Sequence, residues 1–113
     1  MKTLVVKKPW GQFEQFTLNE QTTVKILSVD KGGSLSAQHH KNRSEFWRVI
    51  SGHPLVTIDK EAKTATPGEE FDIGKMQSHR LEAPIDDVQI LEIAYGTFDE
   101  DDIIRTEDKY GRI

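Results

Sequence analysis

The sequence predicts an all-β domain in which a sheet closes into a barrel or folds into a sandwich. Three observations carry this expectation. Short segments alternate β-branched or aromatic residues with polar ones, Gly, Pro, Asp and Asn punctuate them at near-regular intervals, and no long stretch has the period of a helix.

The strands follow in order. Gln12–Leu18 is read as the first and Thr22–Val29 as the second, which the Lys31-Gly32-Gly33 turn ends. Leu35–His40 and Glu45–Ser51 form the next pair, closed by Ser51-Gly52-His53-Pro54. Leu55–Asp59 and Glu69–Ile73 flank a turn at Thr66-Pro67-Gly68. His79–Glu82 and Val88–Tyr95 flank Ala83-Pro84. Closing such strands into a barrel removes sheet edges that would otherwise pair with other chains. Beyond Tyr95, the acidic run Asp99-Glu100-Asp101-Asp102 precedes Ile103-Ile104-Arg105. Acidic groups favour the positive end of a helix, so a short C-terminal helical turn is expected there.

Length and composition bound the function. A chain of 113 residues is read as one domain, residues 1–113, because two cores of half that size would be too small to stand alone. With no cysteine, disulfides and thiolate metal sites are excluded, and a metal must be held by His, carboxylate or amide groups. A net charge of −4 without a dense basic stripe argues against a nucleic-acid surface and fits a protein that handles a small molecule. No apolar run has membrane-spanning length, and Met1–Lys8 lacks the pattern of a signal peptide, so no membrane partner and a cytoplasmic location are expected.

Strand period locates a candidate metal site. Residues two apart share a face, so Gln38 and His40 project together, as do Glu45 and Trp47 on the next strand, and a hairpin sets the pairs side by side. His79 comes from a distant strand. Two imidazoles, one carboxylate and one amide oxygen suit a divalent ion with positions left for water or substrate. Zinc is expected first, with manganese, iron or nickel as alternatives. Isolated core histidines are the usual alternative, but four donors in this arrangement favour a metal. His39 should face the other way, as should Arg80 beside His79. Trp47 is read as core filling, and Trp10 as packing at the barrel's start or a dimer contact. Glu92 shares a face with Ile90 and Ala94, and a carboxylate in so apolar a stretch needs a partner or a chemical role.

The spacing Gly32-x5-Gln38-x-His40-x4-Glu45-x6-Gly52 resembles the first cupin motif, with Gln in place of the usual first His, and Gly68-x10-His79 resembles the second. Several further segments resemble the cupin domain of type II mannose-6-phosphate isomerases. They are Lys8-Pro9-Trp10-Gly11, Leu35-Ser36-Ala37-Gln38, Arg43-Ser44-Glu45-Phe46-Trp47, Val49-Ile50-Ser51-Gly52, His79-Arg80-Leu81-Glu82 and the tail from Asp101 to Arg112.

This resemblance implies a double-stranded β-helix, the cupin jelly-roll barrel, and a free-standing domain interconverting mannose 6-phosphate and fructose 6-phosphate through an enediol. Gln38, His40, Glu45 and His79 would hold the metal. Glu92 would serve as the base and Arg112 as a second catalytic group, with Arg43, Lys41 and Tyr110 contacting the phosphosugar. A homodimer is expected by analogy with small cupins. Two alternatives remain, because one fold hosts many chemistries: a metal-binding cupin of other activity, such as a dioxygenase or sugar epimerase, or a non-catalytic sugar-binding module. Lys41-Asn42 after His40, Gly74-Lys75-Met76, Ala83 and Ala94 depart from the family pattern around the proposed site.

Overall fold

The structure, a computed structural model, describes residues 3–113. Its eleven strands are β1 (Leu4–Lys8), β2 (Gly11–Gln15), β3 (Thr22–Val29), β4 (Ala37–His39), β5 (Arg43–Ser51), β6 (Leu55–Ile58), β7 (Glu61–Thr64), β8 (Glu70–Ile73), β9 (His79–Glu82), β10 (Val88–Gly96) and β11 (Ile104–Glu107). Two antiparallel sheets build the body in a jelly-roll arrangement. One has the order β3-β10-β5-β8 and the other β11-β4-β9-β6-β7, while β1 and β2 form a separate hairpin.

The all-β expectation holds, and the strands expected at Thr22–Val29 and His79–Glu82 form with those limits. The C-terminal helical turn does not form. Asp99–Asp102 is instead a tight turn, in which the Asp102 amide donates to Asp99 O at 3.0 Å and the Asp101 amide to the Asp99 carboxylate at 2.9 Å. Asp side chains favour such local bonds over helix. Ile104 then enters β11 and pairs with His39 of β4, so the segment extends a sheet.

Inward stripes change character along their length, and this positions the site. Along β5 one buried stripe runs Glu45, Trp47, Val49; along β10, Glu92, Ile90, Val88; along β9 and just past its end, His79, Leu81, Ala83. On β3, Lys25 and Leu27 are half-buried ahead of buried Val29. Register aligns these series, since Glu92 faces Trp47 on one side and Lys25 on the other. One end of the interior is therefore apolar and contains the packed core of Val29, Val49, Val56, Ile73, Leu81, Val88 and Ile90. The other end is lined with ionisable groups. Trp47 lies at the boundary, fully buried, with its ring edge-on to His79 at 5.5 Å.

The β1–β2 hairpin stands apart from this body. Glu14 anchors it, its carboxylate accepting two hydrogen bonds from Arg48 of β5 at 2.7 and 2.8 Å, while Phe16 packs against Phe46 at 5.9 Å. The radius of gyration is 14.8 Å, against about 13 Å for a compact chain of this length.

Candidate metal centre

His40 follows β4, Glu45 lies on β5 and His79 opens β9. All three are at most 4% exposed, and one ligand atom from each falls within 4.8 Å of the others. The His79 Nε2 lies 3.3 Å from Glu45 Oε1 and the His40 Nε2 3.9 Å from Glu45 Oε2. The imidazoles are 5.0 Å apart between ring centres.

The far side of each ring fixes its tautomer. His40 Nδ1 lies 2.7 Å from Asp102 O, and His79 Nδ1 lies 2.9 Å from Gln77 O. A carbonyl oxygen only accepts, so each Nδ1 carries a hydrogen, and the neutral form of each ring presents its lone pair at Nε2. Burial disfavours the charged form of His40 and pushes its pKa down, which keeps that ring neutral. The His79 Nε2 contact with Glu45 lacks hydrogen-bond geometry, and this buried nitrogen has no hydrogen-bond partner among the described residues. Two imidazole nitrogens and a carboxylate thus converge on one point. A divalent cation satisfies all three, and backbone carbonyls orienting the opposite ring nitrogens are the usual outer support of histidine ligands. The donors fit a metal.

Gln38 is buried, sits opposite His79 in the β4–β9 pairing, and lines the same interior space. Its Oε1 receives a 3.5 Å contact from Ser36 Oγ, at the limit of a hydrogen bond, which leaves the amide oxygen available to a fourth coordination position. His39 faces the other way and is half-buried, and Arg80 points outward to Glu107 at 3.0 Å.

Glu92 and Glu45 are both buried, line the same cavity and act on each other's ionisation. Burial, and then the bond to Glu45, push the Glu92 pKa well above the ordinary range, so Glu92 holds the shared proton. Burial alone would raise Glu45 as well, but its contacts with His79 and Glu92 outweigh that and keep it ionised. Arg43, 6% exposed, adds a clamp. Its Nε donates to Glu45 at 3.2 Å, one Nη to Asp99 O at 2.9 Å, and the other lies 3.3 Å from His40 Nε2.

A cavity of about 140 Å³ opens beside these groups, lined among others by Gln38, Glu92, Trp47, Lys25, Glu100 and Ile103. Lys25 and Glu100 were not among the residues singled out in the sequence. Lys25 reaches the cavity from β3, where Val24 and Ile26 on either side of it face outward. Arg105 is a further addition. It lies opposite Gln38 in the β11–β4 pairing, so both share a face, and its buried Nε has no hydrogen-bond partner among the described residues.

The other expected residues stand elsewhere. Arg112 is held by Asp108 through its Nε at 2.7 Å and an Nη at 2.9 Å, and does not line the cavity. Tyr110 is 56% exposed, and its hydroxyl accepts from the Ser34 amide at 3.2 Å. Lys41 is exposed, with its backbone amide donating to Asp102 Oδ1 at 2.9 Å. The structure therefore brings Gln38, His40, Arg43, Glu45, His79 and Glu92 together and leaves Lys41, Tyr110 and Arg112 outside that group.

Residues 2–108 match the model of the family described as mannose-6-phosphate isomerase C-terminal. The chain belongs to this family. Among relatives of this mannose-6-phosphate isomerase C-terminal domain, the mannose-1-phosphate guanylyltransferase ManC of Salmonella typhimurium is 36% identical over 110 residues, covering 96% of this chain and 23% of that protein. The alginate biosynthesis protein AlgA of Pseudomonas putida is 38% identical over 111 residues, again covering 96% of this chain and 23% of the relative. The domain thus spans about a quarter of the length of these relatives. Its fold matches a sugar phosphate isomerase of the cupin superfamily from Silicibacter pomeroyi, with a TM-score of 0.65, 16% identity and coverage of 80% of this chain and 69% of that one. A cupin protein from Bacteroides fragilis matches with a TM-score of 0.62 at 22% identity, covering 71% and 69% of the two chains. The cupin fold expected from the motif spacing is the fold of this domain.

Proposed function

We propose that this domain is a metal-dependent isomerase that interconverts mannose 6-phosphate and fructose 6-phosphate. The observation that carries the reading is a buried His-Glu-His cluster, His40, Glu45 and His79, with a second buried carboxyl, Glu92, lining the same cavity as Glu45, in a domain of this family. His40, Glu45 and His79, with Gln38 as the fourth donor, would hold a divalent ion, zinc first among manganese, iron and nickel. Bound there, the ion supplies Lewis acidity to the sugar's carbonyl and neighbouring hydroxyl.

The chain's own residues supply the rest. Aldose–ketose exchange removes a proton from C2, passes through an enediol and returns a proton to C1. Glu92 performs both transfers, taking the proton in its ionised form and returning it as the acid; in the metal-free protein its pKa, pushed up to about 9 by burial and then by Glu45, holds it in the acid form. Its proton leaves most readily when the negative charge of Glu45 is spent on a cation. Arg43 acts as a positioning residue, because three of its donors hold Glu45, the 97–103 segment and His40 in register. Trp47 and the apolar core beneath it close the inner wall of the cavity, which keeps water from the enediol. An assay of the metal-loaded protein against mannose 6-phosphate tests the reading. Turnover is expected in the parent protein and in neither His40→Ala nor Glu92→Gln.

The proposal extends to a cytoplasmic homodimer working as a single catalytic unit. No helix among the described residues is long and apolar enough to cross a membrane. An isolated two-stranded hairpin is marginal in water, yet Leu4, Val5, Trp10 and Phe13 are exposed on β1–β2, and Val24 and Ile26 are exposed on the outer face of β3. A second copy covering these surfaces accounts for both. Sedimentation is expected to show a dimer that Trp10→Ser with Val24→Asp dissociates, and a monomeric parent protein at micromolar concentration would rule it out.

A further inference from the structure

At the mouth of the cavity, Lys25 Nζ is bonded to the Glu100 carboxylate at 2.6 Å. The ammonium also lies 4.0 Å from the centre of the Phe98 ring, and the Arg43 guanidinium lies 4.2 Å from the same ring. Phe98 and Glu100 belong to the segment after β10 that roofs the cavity and returns through Ile103 to β11. Of the two cations lining the cavity, Arg43 has donors committed to Glu45, Asp99 O and His40, whereas Lys25 is engaged by a flexible carboxylate whose side chain is 76% exposed. A half-exposed pair of this kind is weak and exchangeable.

We propose that Lys25 is the anchor for the phosphate group of the substrate, and that Glu100 is an internal stand-in for that phosphate which the substrate displaces. The inference rests on the reading that the cavity takes a phosphorylated sugar. Three features make Lys25 suited to the role. It projects from the strand beside Glu92, with which it is paired in register, so an anion on Lys25 is tethered to a sugar whose carbons face the carboxyl pair. The ammonium is a flexible point charge that accepts either a carboxylate or a phosphate without a fixed fork geometry. Exchange of Glu100 for phosphate also frees the roof segment at one of its ties, while the Arg43 bond to Asp99 O and the Asp102 bonds to the amides of Lys41 and Asn42 keep the rest in place. A cavity of about 140 Å³ must widen to admit a hexose phosphate, and release of Glu100 provides that opening.

Binding by calorimetry separates this inference from the isomerase reading, because it needs no turnover. Inorganic phosphate, mannose 6-phosphate and mannose are titrated into the metal-loaded parent protein and into Glu100→Gln, Lys25→Met and Lys25→Arg. Glu100→Gln, having lost the competing charge, is expected to bind both phosphates several-fold tighter, with mannose unchanged. Lys25→Met is expected to lose about tenfold in affinity for the phosphates, the worth of one hydrogen bond to a charged group, with mannose unchanged and Lys25→Arg largely restoring the loss. Phosphate affinities that are equal in the parent protein and Lys25→Met, or that weaken in Glu100→Gln, would overturn it. Tight phosphate binding at Lys25 without isomerisation would sink the isomerase reading and leave the anion site standing.

Discussion

His40 and His79 each commit Nδ1 to a backbone carbonyl, and that small fact determines what their other nitrogens can do. Both Nε2 atoms face Glu45, and as neutral rings they offer it lone pairs with which to hold a cation. Replacing His79 by Ala is expected to lower metal affinity more than about 100-fold, because even outer partners of metal ligands are worth roughly 10–100-fold; competition with a chromophoric chelator measures it. Arg43→Met tests the clamp. It leaves the buried Glu45 without its guanidinium and is expected to destabilise the metal-free protein by about 3–5 kcal/mol in urea titration. A loss below about 1 kcal/mol would show that Arg43 is not needed to hold Glu45. That His40, Glu45 and His79 come together was legible in the sequence because alternation on short strands settles which side chains share a face. Lys25 and Glu100 were not, since their meeting depends on how a loop after β10 folds over β3, and no local pattern encodes that. Arg105 escaped for a related reason: its inward direction follows from the pairing of β11 with β4, a pairing hidden by the expectation of a helix there.

Elements explain which parts of the fold could be read in advance. β3 is rich in β-branched residues and β9 alternates buried His79 and Leu81 with Arg80 and Glu82, and both were read to their ends, whereas β7 (Glu61–Thr64) is exposed at every position and carries no alternation signal. β1 reads LVVKK, too short and too charged at its end to stand out, and it exists as a strand because β2 pairs with it. Acidic residues at 99–102 have two local outlets, a helix start or a turn with side-chain caps. Asp102 takes the second by accepting the amides of Lys41 and Asn42, each at 2.9 Å. The motif glycine at 52 has a purely mechanical role. With φ at +83°, a Cβ there would come within 2.2 Å of Asp87 O. Gly52→Ala is therefore expected to cost more than about 1 kcal/mol, both from the left-handed backbone and from the clash, and thermal melting measures it. The hairpin makes a different prediction. The hydrogen bond to Arg48, followed by that from Thr3, holds the Glu14 carboxyl down to about 2. A lowered folded-state pKa gives stability that is present above the ordinary value near 4.5 and lost as pH falls towards 2. Amide exchange in β1–β2 should accelerate relative to β5 across that window, and Arg48→Met should produce the faster exchange at neutral pH.

At the scale of the whole molecule, one interior serves two purposes because each inward stripe turns from polar to apolar along its length. The apolar end supplies the folding energy: Leu81, fully buried, is expected to cost about 2–5 kcal/mol when cut to Ala. The polar end is a liability in the absence of a cation, since it gathers Glu45, Glu92, His40 and His79 out of water. A ligand that binds only the folded state returns stability in proportion to its excess, about 2.7 kcal/mol at one hundred times its Kd. Zinc is accordingly expected to raise the melting temperature of the parent protein and to leave His40→Ala unmoved, with a chelator reversing the shift.

The proposed isomerisation requires the His-Glu-His cluster and the Glu45–Glu92 pair to act together on a phosphosugar. The most direct measurement is the interconversion of mannose 6-phosphate and fructose 6-phosphate by protein carrying one equivalent of metal. Turnover is expected in the parent protein, lost together with the metal in His40→Ala and lost in Glu92→Gln while the metal remains bound. Stoichiometric metal with no turnover under zinc, manganese, iron or nickel would contradict it.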